Sequence, residues 1–316
     1  MLDKVTVEAP SNAPSANAPA ALHALAWATL VGTQDPDALA AVPPVPSPAE
    51  WASVRVETLR PYLDQLLLGR HTQEGLDALH VSGALDAWLP EISAMVGFGD
   101  GEWRHKDVWK HTKQVVWQSV PRLDVRWGAL LHDIGKIKTR KIEPSGEVHF
   151  FGHSEVGAAM FRKRVAKRLG FTGELYERVH YLILYHLRAS QYDGSWTDSA
   201  VRRFGREMGD GLTDLLDLSR ADITTKRPER KKRGLRQISE LSARIQKLQT
   251  DDAKLPPLSK GIGNAIMVHF ALPPSRRIGE LKRLLETEIE AGRLDPRRED
   301  EYYLAWLESQ RADLGI

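Results

Sequence analysis

The spacing of apolar residues is the feature that most restricts what this chain can fold into. From residue 49 onwards apolar side chains recur every three or four positions, as one face of a helix requires, first at Val56, Leu59, Leu63, Leu66 and Leu67. The same spacing returns later in two stripes, which are Ile238, Leu241, Ile245 and Leu248, and then Ile278, Leu281, Leu285 and Ile289. Long apolar–polar alternation, which would indicate β-strands, is missing. We therefore predict an all-α protein.

The composition excludes several kinds of chemistry but says little about binding partners. Its 44 basic and 42 acidic residues give a net charge of +2, so a nucleic-acid surface would have to come from local clusters. Cysteine is absent, which excludes disulfides, thiolate metal sites and cysteine nucleophiles. Any metal must therefore bind to His, Asp or Glu. No stretch approaches the roughly 20 apolar residues of a membrane span, and we predict a cytoplasmic protein.

The first 50 residues differ in composition from the rest of the chain. They are rich in Ala and Pro, and residues 35–49 alone contain five prolines. Such composition favours disorder and extended linkers. We expect residues 1–50 to be largely disordered, with a short helix at about residues 22–31.

Six His and Asp side chains form the candidate functional site. The adjacent pair His132 and Asp133 ends an apolar run just before Gly135, and neighbours on a helix point about 100° apart, so they can hold one ion from two sides. The full set is His111, His132, Asp133, His153, His186 and Asp222. A single helical His is more often a surface residue, and we assign no function to His23, His71, His80 and His269. His105, His149 and His180 are expected to support the site at most.

Imidazole and carboxylate ligands together suit Mn, Fe, Co, Ni, Zn or, less well, Mg. A carboxylate such as Asp133 can bridge two ions, and His153 and His186 would then complete a second site. Two ions roughly 3.5–4 Å apart can activate a water molecule and also hold phosphate oxygens. The pattern therefore predicts a site for one or two divalent ions, with Mn, Ni, Fe, Co or Mg as candidates.

Five segments carry a resemblance to a known family. They are HKDVWKHTKQVV (105–116), WGALLHDIGK (127–136), FFGHSEVGA (150–158), LYHLR (184–188) and RADI (220–223). Together they resemble the HD superfamily, and more closely the HD domain of bacterial tRNA nucleotidyltransferases and poly(A) polymerase-like proteins. The resemblance implies His111, His132, Asp133 and Asp222 as metal ligands, and His153 and His186 as ligands of a second ion. It also implies catalytic roles for Asp133 and for Lys136 and Arg188 near the phosphate.

The resemblance extends along the chain and implies its domains. Residues 51–100 resemble the helical neck of those enzymes, residues 101–250 the HD phosphohydrolase domain, and residues 251–316 the C-terminal helical body. Nucleotidyl transfer in that family depends on an N-terminal α/β head with a Gly-Ser or Gly-Gly motif and a paired-Asp motif. Residues 1–50 contain neither motif, so we expect no nucleotidyl transfer.

Two basic clusters flank the proposed ligands. Residues 226–236 hold seven basic residues and one acidic residue, and residues 162–168 hold five basic residues. A charge run is usually a solvated face, but the position of these two favours contacts with a phosphate backbone. The expected phosphate-binding residues are Arg162, Lys163, Lys226, Arg227, Arg230, Lys231, Lys232 and Arg233.

These patterns favour a metal-dependent hydrolase acting on RNA ends or nucleotides, such as a 2′,3′-cyclic phosphodiesterase or phosphatase. The expected partner is RNA, with tRNA as one candidate, or a nucleotide. Two alternatives stay open at this point. One is a phosphohydrolase of free dNTPs, nucleoside monophosphates or alarmones, and the other is a non-catalytic module that binds tRNA or other RNA.

Overall fold

The computed structural model describes residues 14–15, 18–98, 107–254 and 256–316. Helices form nearly all of the regular structure, and the prediction of an all-α protein is confirmed. The first elements in chain order are α1 (Ala20–Thr33), α2 (Pro48–Ser53), α3 (Val56–Leu68), α4 (Thr72–Val81), α5 (Ala84–Trp88), α6 (Pro90–Ser93), α7 (Val108–Gln118), α8 (Leu123–Leu131) and α9 (Lys136–Thr139). A two-stranded antiparallel hairpin of β1 (Lys141–Ile142) and β2 (Val148–His149) follows.

The remaining helices continue to the C-terminus. They are α10 (His153–Met160), α11 (Ala166–Arg168), α12 (Gly173–Tyr185), α13 (Asp198–Met208), α14 (Leu212–Ala221), α15 (Pro228–Lys254), α16 (Ile262–His269), α17 (Arg276–Glu290), α18 (Asp300–Ser309) and α19 (Arg311–Leu314). A π-helical turn, Phe161–Val165, joins α10 to α11, and short 3₁₀ helices cover Pro36–Ala40, Ala189–Gln191 and Gly209–Gly211. Within the described part of the chain, no helix combines the length and the hydropathy that a bilayer span requires.

The chain divides into two compact units. The first comprises Met1–Ser195 and Gly209–Leu241, and the second comprises Trp196–Met208 and Ser242–Ile316. The second unit packs α16, α17 and α18 around a core that includes Ile262, Ile266, Ile278, Leu281, Leu285, Tyr303 and Leu307. The stripe predicted on α17 is thus buried. The boundaries of the four predicted domains differ from those of these units, and the four domains stay predictions.

Helix α8 is the central helix of the first unit. All residues from Val125 to Leu131 are buried, and a helix that is buried on every side must have neighbours all round. The Arg126 guanidinium donates to the carbonyls of Ser119 and Leu67, at 2.9 and 3.1 Å, and so satisfies the ends of α7 and α3. The Trp127 indole donates to the Asp64 carboxylate at 2.6 Å. These contacts fix the end of α8, where His132 and Asp133 follow.

The N-terminal segment differs from the expectation of disorder. Ala21, Ala24, Leu25 and Ala28 of α1 are fully buried, and α1 packs against α3 and α4. Helix α1 covers the short helix expected at about residues 22–31 and extends it to residues 20–33. Alanine is the strongest helix former, so an Ala-rich composition can indicate a packed helix as well as a linker. Residues 1–13, 16 and 17 lie outside the described residues.

Candidate metal centre

The site lies in the first unit, where five helices deliver the six side chains. His111 lies in the middle of α7, and His132 and Asp133 directly follow α8. His153 is the first residue of α10, His186 follows α12, and Asp222 follows α14. Three of these helices, α8, α12 and α14, direct their C-terminal ends at one point. Because a helix C-terminus carries partial negative charge, this convergence favours a cation there.

Two groups of three potential ligands form at this point. In the first group, the Nε2 atoms of His111 and His132 lie 3.4 Å apart, and the Asp222 carboxylate lies 3.0 Å from His111 Nε2. In the second group, the Nε2 atoms of His153 and His186 lie 3.1 Å apart, with Asp133 Oδ1 at 3.4 and 3.9 Å from them. The structure thus brings together all six residues that the sequence predicts.

Asp133 lies between the two groups. Its Oδ1 atom faces His153 and His186, while Oδ2 lies 3.2 Å from His132 Nε2 and 3.5 Å from His111 Nε2. The Lys136 ammonium contacts the same Oδ2 atom at 2.6 Å. A carboxylate that offers one oxygen to each group has the arrangement of a ligand that bridges two ions.

The outer nitrogens of the histidines have partners of their own. His132, His153 and His186 each donate from Nδ1 to a backbone carbonyl three residues earlier, at 2.7, 2.8 and 2.8 Å. His111 Nδ1 lies 2.9 Å from the Thr224 hydroxyl. A proton on Nδ1 leaves the Nε2 lone pair free, which is how metal-binding histidines are normally oriented.

The spacing of the free nitrogens suits a metal ion. Two nitrogens each about 2.0–2.1 Å from one ion, at roughly 90–110°, are separated by about 2.9–3.4 Å. The two Nε2 pairs, at 3.4 and 3.1 Å, fall in this range. When these Nε2 atoms are unprotonated, their lone pairs face one another and the nearby carboxylate oxygens, and such a contact is repulsive. The described residues therefore fit divalent metal binding, and a cation would relieve this contact.

The protonation states also suit ligands. Burial alone would raise the pKa of Asp133, but His132 and Lys136 hold it well below its usual range. Burial lowers the pKa of His153 and lowers that of His186 to about 4. At neutral pH the carboxylate is therefore charged and these two imidazoles are neutral, as metal ligands must be.

The comparison with known families agrees with this geometry. A family model described as the HD domain matches residues 106–227, a range that contains all six residues. The chain contains an HD domain.

Relatives of known function extend the similarity beyond the HD domain. The CC-adding tRNA nucleotidyltransferase of Thermus thermophilus is 32% identical over 259 residues, which are 79% of this chain and 56% of the relative. The A-adding tRNA nucleotidyltransferase of Deinococcus radiodurans is 32% identical over 249 residues, 76% of this chain and 54% of the relative. The chain thus spans about half the length of these two relatives. The predicted resemblance is confirmed.

The basic residues predicted to bind phosphate lie on two parts of the first unit. The predicted residues of the 226–236 cluster are all exposed, and they are Lys226, Arg227, Arg230, Lys231, Lys232 and Arg233. They start four residues after Asp222 and continue into the first turns of α15. Positive charge at a helix N-terminus opposes the helix dipole, so this placement costs helix stability. An anion bound there would offset that cost.

The other basic cluster is farther from the ligands of the HD domain. Arg162 and Lys163 are exposed in the π-helical turn, about 13–15 Å along the helix from His153. Arg168, counted in this cluster, has a structural role instead: it makes two hydrogen bonds to the buried Glu91 carboxylate, at 2.7 and 2.8 Å. Arg188 is half-buried two residues after His186, and its role near the phosphate stays a prediction.

Sequence reasoning missed residues that hold the ligands in place. Thr224 was not predicted, although it contacts His111, because a buried threonine beside a charged run carries no distinct signal. Gln118 donates to the Ala221 carbonyl at 2.6 Å and so ties α7 to the turn that carries Asp222. The one sequence feature that indicated a role for Gln118 was its position seven residues after His111. His105 lies outside the described residues.

Proposed function

We propose that the HD domain of this chain is a metal-dependent phosphohydrolase that uses two divalent ions. The observation that carries the proposal is Asp133, whose two oxygens face two separate groups of histidines. Lys136 pairs with Oδ2 of this buried carboxylate, while Oδ1 faces His153 and His186, which burial keeps neutral. A cation at Oδ1 would therefore still stabilise the buried charge. A cluster with only a structural role would not require a second group of imidazoles, those of His153 and His186, at Asp133 Oδ1.

Each residue has a distinct task in this proposal. The six residues would hold the ions, which when bound would activate a water molecule and neutralise charge on the phosphoryl oxygens. Lys136 has its ammonium 2.6 Å from Asp133 Oδ2, where it can also donate to a phosphoryl oxygen beside the bridging carboxylate. Arg188 is proposed to add a second positive charge. The reaction needs no covalent intermediate.

RNA ends or nucleotides are the proposed substrates, with a 2′,3′-cyclic phosphate as one example. Asp222 has 28% of its side chain exposed, and the exposed basic residues of 226–233 begin four residues after it, which supports an open approach with positive charge nearby. An open, basic approach favours a polyanion over a small nucleotide in a closed pocket. The two tRNA nucleotidyltransferases among the relatives support RNA as the partner, while the proposed reaction at this site is hydrolysis.

The proposal is tested by metal content together with turnover. Purified protein is analysed for bound metal and assayed with bis-p-nitrophenyl phosphate and 2′,3′-cyclic AMP in the presence of Mn²⁺, Ni²⁺ or Mg²⁺. We expect two bound ions and hydrolysis of both compounds. In His153→Ala one ion should be lost together with most turnover, whereas His269→Ala, an exposed histidine of the second unit, should keep both. A protein that binds metal but hydrolyses neither compound would favour the non-catalytic RNA-binding alternative.

A further inference from the structure

An exposed aromatic residue lies directly beside the metal centre. Phe151 follows the β1–β2 hairpin and is 71% exposed, one of the most exposed large apolar residues described. Its ring is stacked on that of His149, with centroids 4.9 Å apart and planes 11° from parallel. We call this pair the aromatic platform. Single exposed apolar residues are common, but the stacking holds this one in a defined plane.

The backbone connects the aromatic platform rigidly to the ligands. The carbonyl of Phe150 accepts the Nδ1–H of His153 at 2.8 Å, so the residue before Phe151 is hydrogen-bonded to a metal-site imidazole. Gly152, with a φ of 71°, makes the turn between Phe151 and α10, in a conformation that favours glycine. The platform therefore cannot move far without moving His153.

The two residues of the platform flank Phe150, whose ring lies close to Lys136 of the proposed phosphate position. The Phe150 ring centroid is 5.5 Å from the Lys136 ammonium, and the Cα atoms of Phe150 and Phe151 are about 3.8 Å apart. The base of a nucleotide bound by its phosphate at Lys136 and the ligands would reach this region. The exposed Lys141 pairs with His149 across the hairpin, and the Glu147 carboxylate lies 3.7 Å from His149 Nε2. Lys138 on α9 is also exposed.

We propose that the aromatic platform stacks on a nucleobase of the substrate while the phosphate occupies the metal centre. Aromatic side chains beside cations are the usual means of binding single-stranded nucleic acid, because every base offers a flat face. The inference rests on the proposed function and narrows its substrates to nucleotides and RNA ends, with base-free sugar phosphates bound poorly. The platform needs no paired strand, so a single-stranded end fits it best.

The test compares AMP with ribose 5-phosphate, which differ in the base. Their dissociation constants are measured by calorimetry on the full chain loaded with Mn²⁺. In the Phe151→Ala variant the preference for AMP should fall by about 5- to 150-fold, the range expected for one stacked base. Phe151→Trp should restore it, which a merely structural role would not explain. Val268→Ala, at an exposed apolar position of the second unit, should leave the preference unchanged.

The outcomes separate this inference from the proposed function. Equal affinity of the wild-type protein for the two compounds, or an unchanged preference in Phe151→Ala, would overturn the platform. A preference for AMP that depends on Phe151, in a protein that hydrolyses no phosphoester, would retain the platform and refute the hydrolase. Loss of bound Mn²⁺ in Phe151→Ala would show that the residue supports His153 and would also overturn the inference.

Discussion

Gly135 offers a direct test of how tightly the metal centre is built. It lies in the turn between His132-Asp133 and α9, against the first turn of α10. A Cβ atom at this position would lie 2.0 Å from the carbonyl oxygen of His153 and 2.7 Å from the Gly157 nitrogen. Both are backbone atoms, so no side chain can rotate away. Gly135→Ala must therefore separate the Asp133 turn from α10.

The size of the effect follows from the overlap. Ordinary contact for a Cβ atom begins at 3.4 Å, so the His153 contact is short by about 1.4 Å. A shift of about 1 Å in a catalytic group can cost roughly 100-fold in rate, and we expect a loss of this size in kcat/KM. Overpacking of this kind typically costs about 1–3 kcal/mol in the free energy of unfolding. The second ion, which needs Asp133 Oδ1 with His153 and His186, should bind more weakly.

The assay measures turnover of 2′,3′-cyclic AMP, the number of bound ions and urea-induced unfolding for each variant. Gly279→Ala is the matched control, because a Cβ atom there meets nothing within 4 Å and the position lies inside α17. It should be neutral or slightly stabilising, by up to about 1 kcal/mol. If Gly135→Ala bound two ions with wild-type affinity and turned over normally, the geometry described for the turn would be wrong.

Three further predictions concern the ligands and the basic residues. Thr224→Val should weaken metal binding about 10- to 100-fold by removing the partner of His111 Nδ1, while Thr224→Ser should not; a chelator titration distinguishes them. Burial would lower the pKa of His132, but the Asp133 carboxylate raises it. Because protons then compete with the metal for His132 Nε2, metal affinity should fall by about tenfold per pH unit below that pKa. A metal affinity that stays constant down to about pH 5.5 would contradict this. The double variant Lys232→Glu and Arg233→Glu should bind single-stranded RNA more weakly and lower the salt slope of log K by about 1.4, at about 0.7 per lost phosphate contact; an unchanged slope would exclude contact between these residues and the RNA.

The sequence was sufficient to predict most helices and the six His and Asp side chains that the structure brings together. Leu59, Leu63 and Leu66 of α3 are buried as their spacing predicts, because burial of an apolar stripe follows from helix geometry alone. The ligands were also recognisable, since imidazole and carboxylate at helix ends have few other uses in an apolar setting. Such features are local, and a single sequence contains them.

What the sequence could not predict depends on contacts between distant segments. Arg168 belongs to a basic cluster that predicts phosphate binding, but in the structure its partner is Glu91, 77 residues earlier in the chain. The burial of α1 likewise depends on the faces of α3 and α4 that cover it. In each case the deciding partner lies outside the window from which periodicity and charge are read.

The bridging position of Asp133 is the central claim, and metal stoichiometry in Asp133→Ala tests it most directly. The variant is measured by elemental analysis beside the wild-type protein, with circular dichroism as a check of the fold. Because one carboxylate serves both groups, both ions and all hydrolysis should be lost while helical content is maintained. Retention of one tightly bound ion would contradict the shared ligand, and loss of helical content would assign Asp133 a structural role instead.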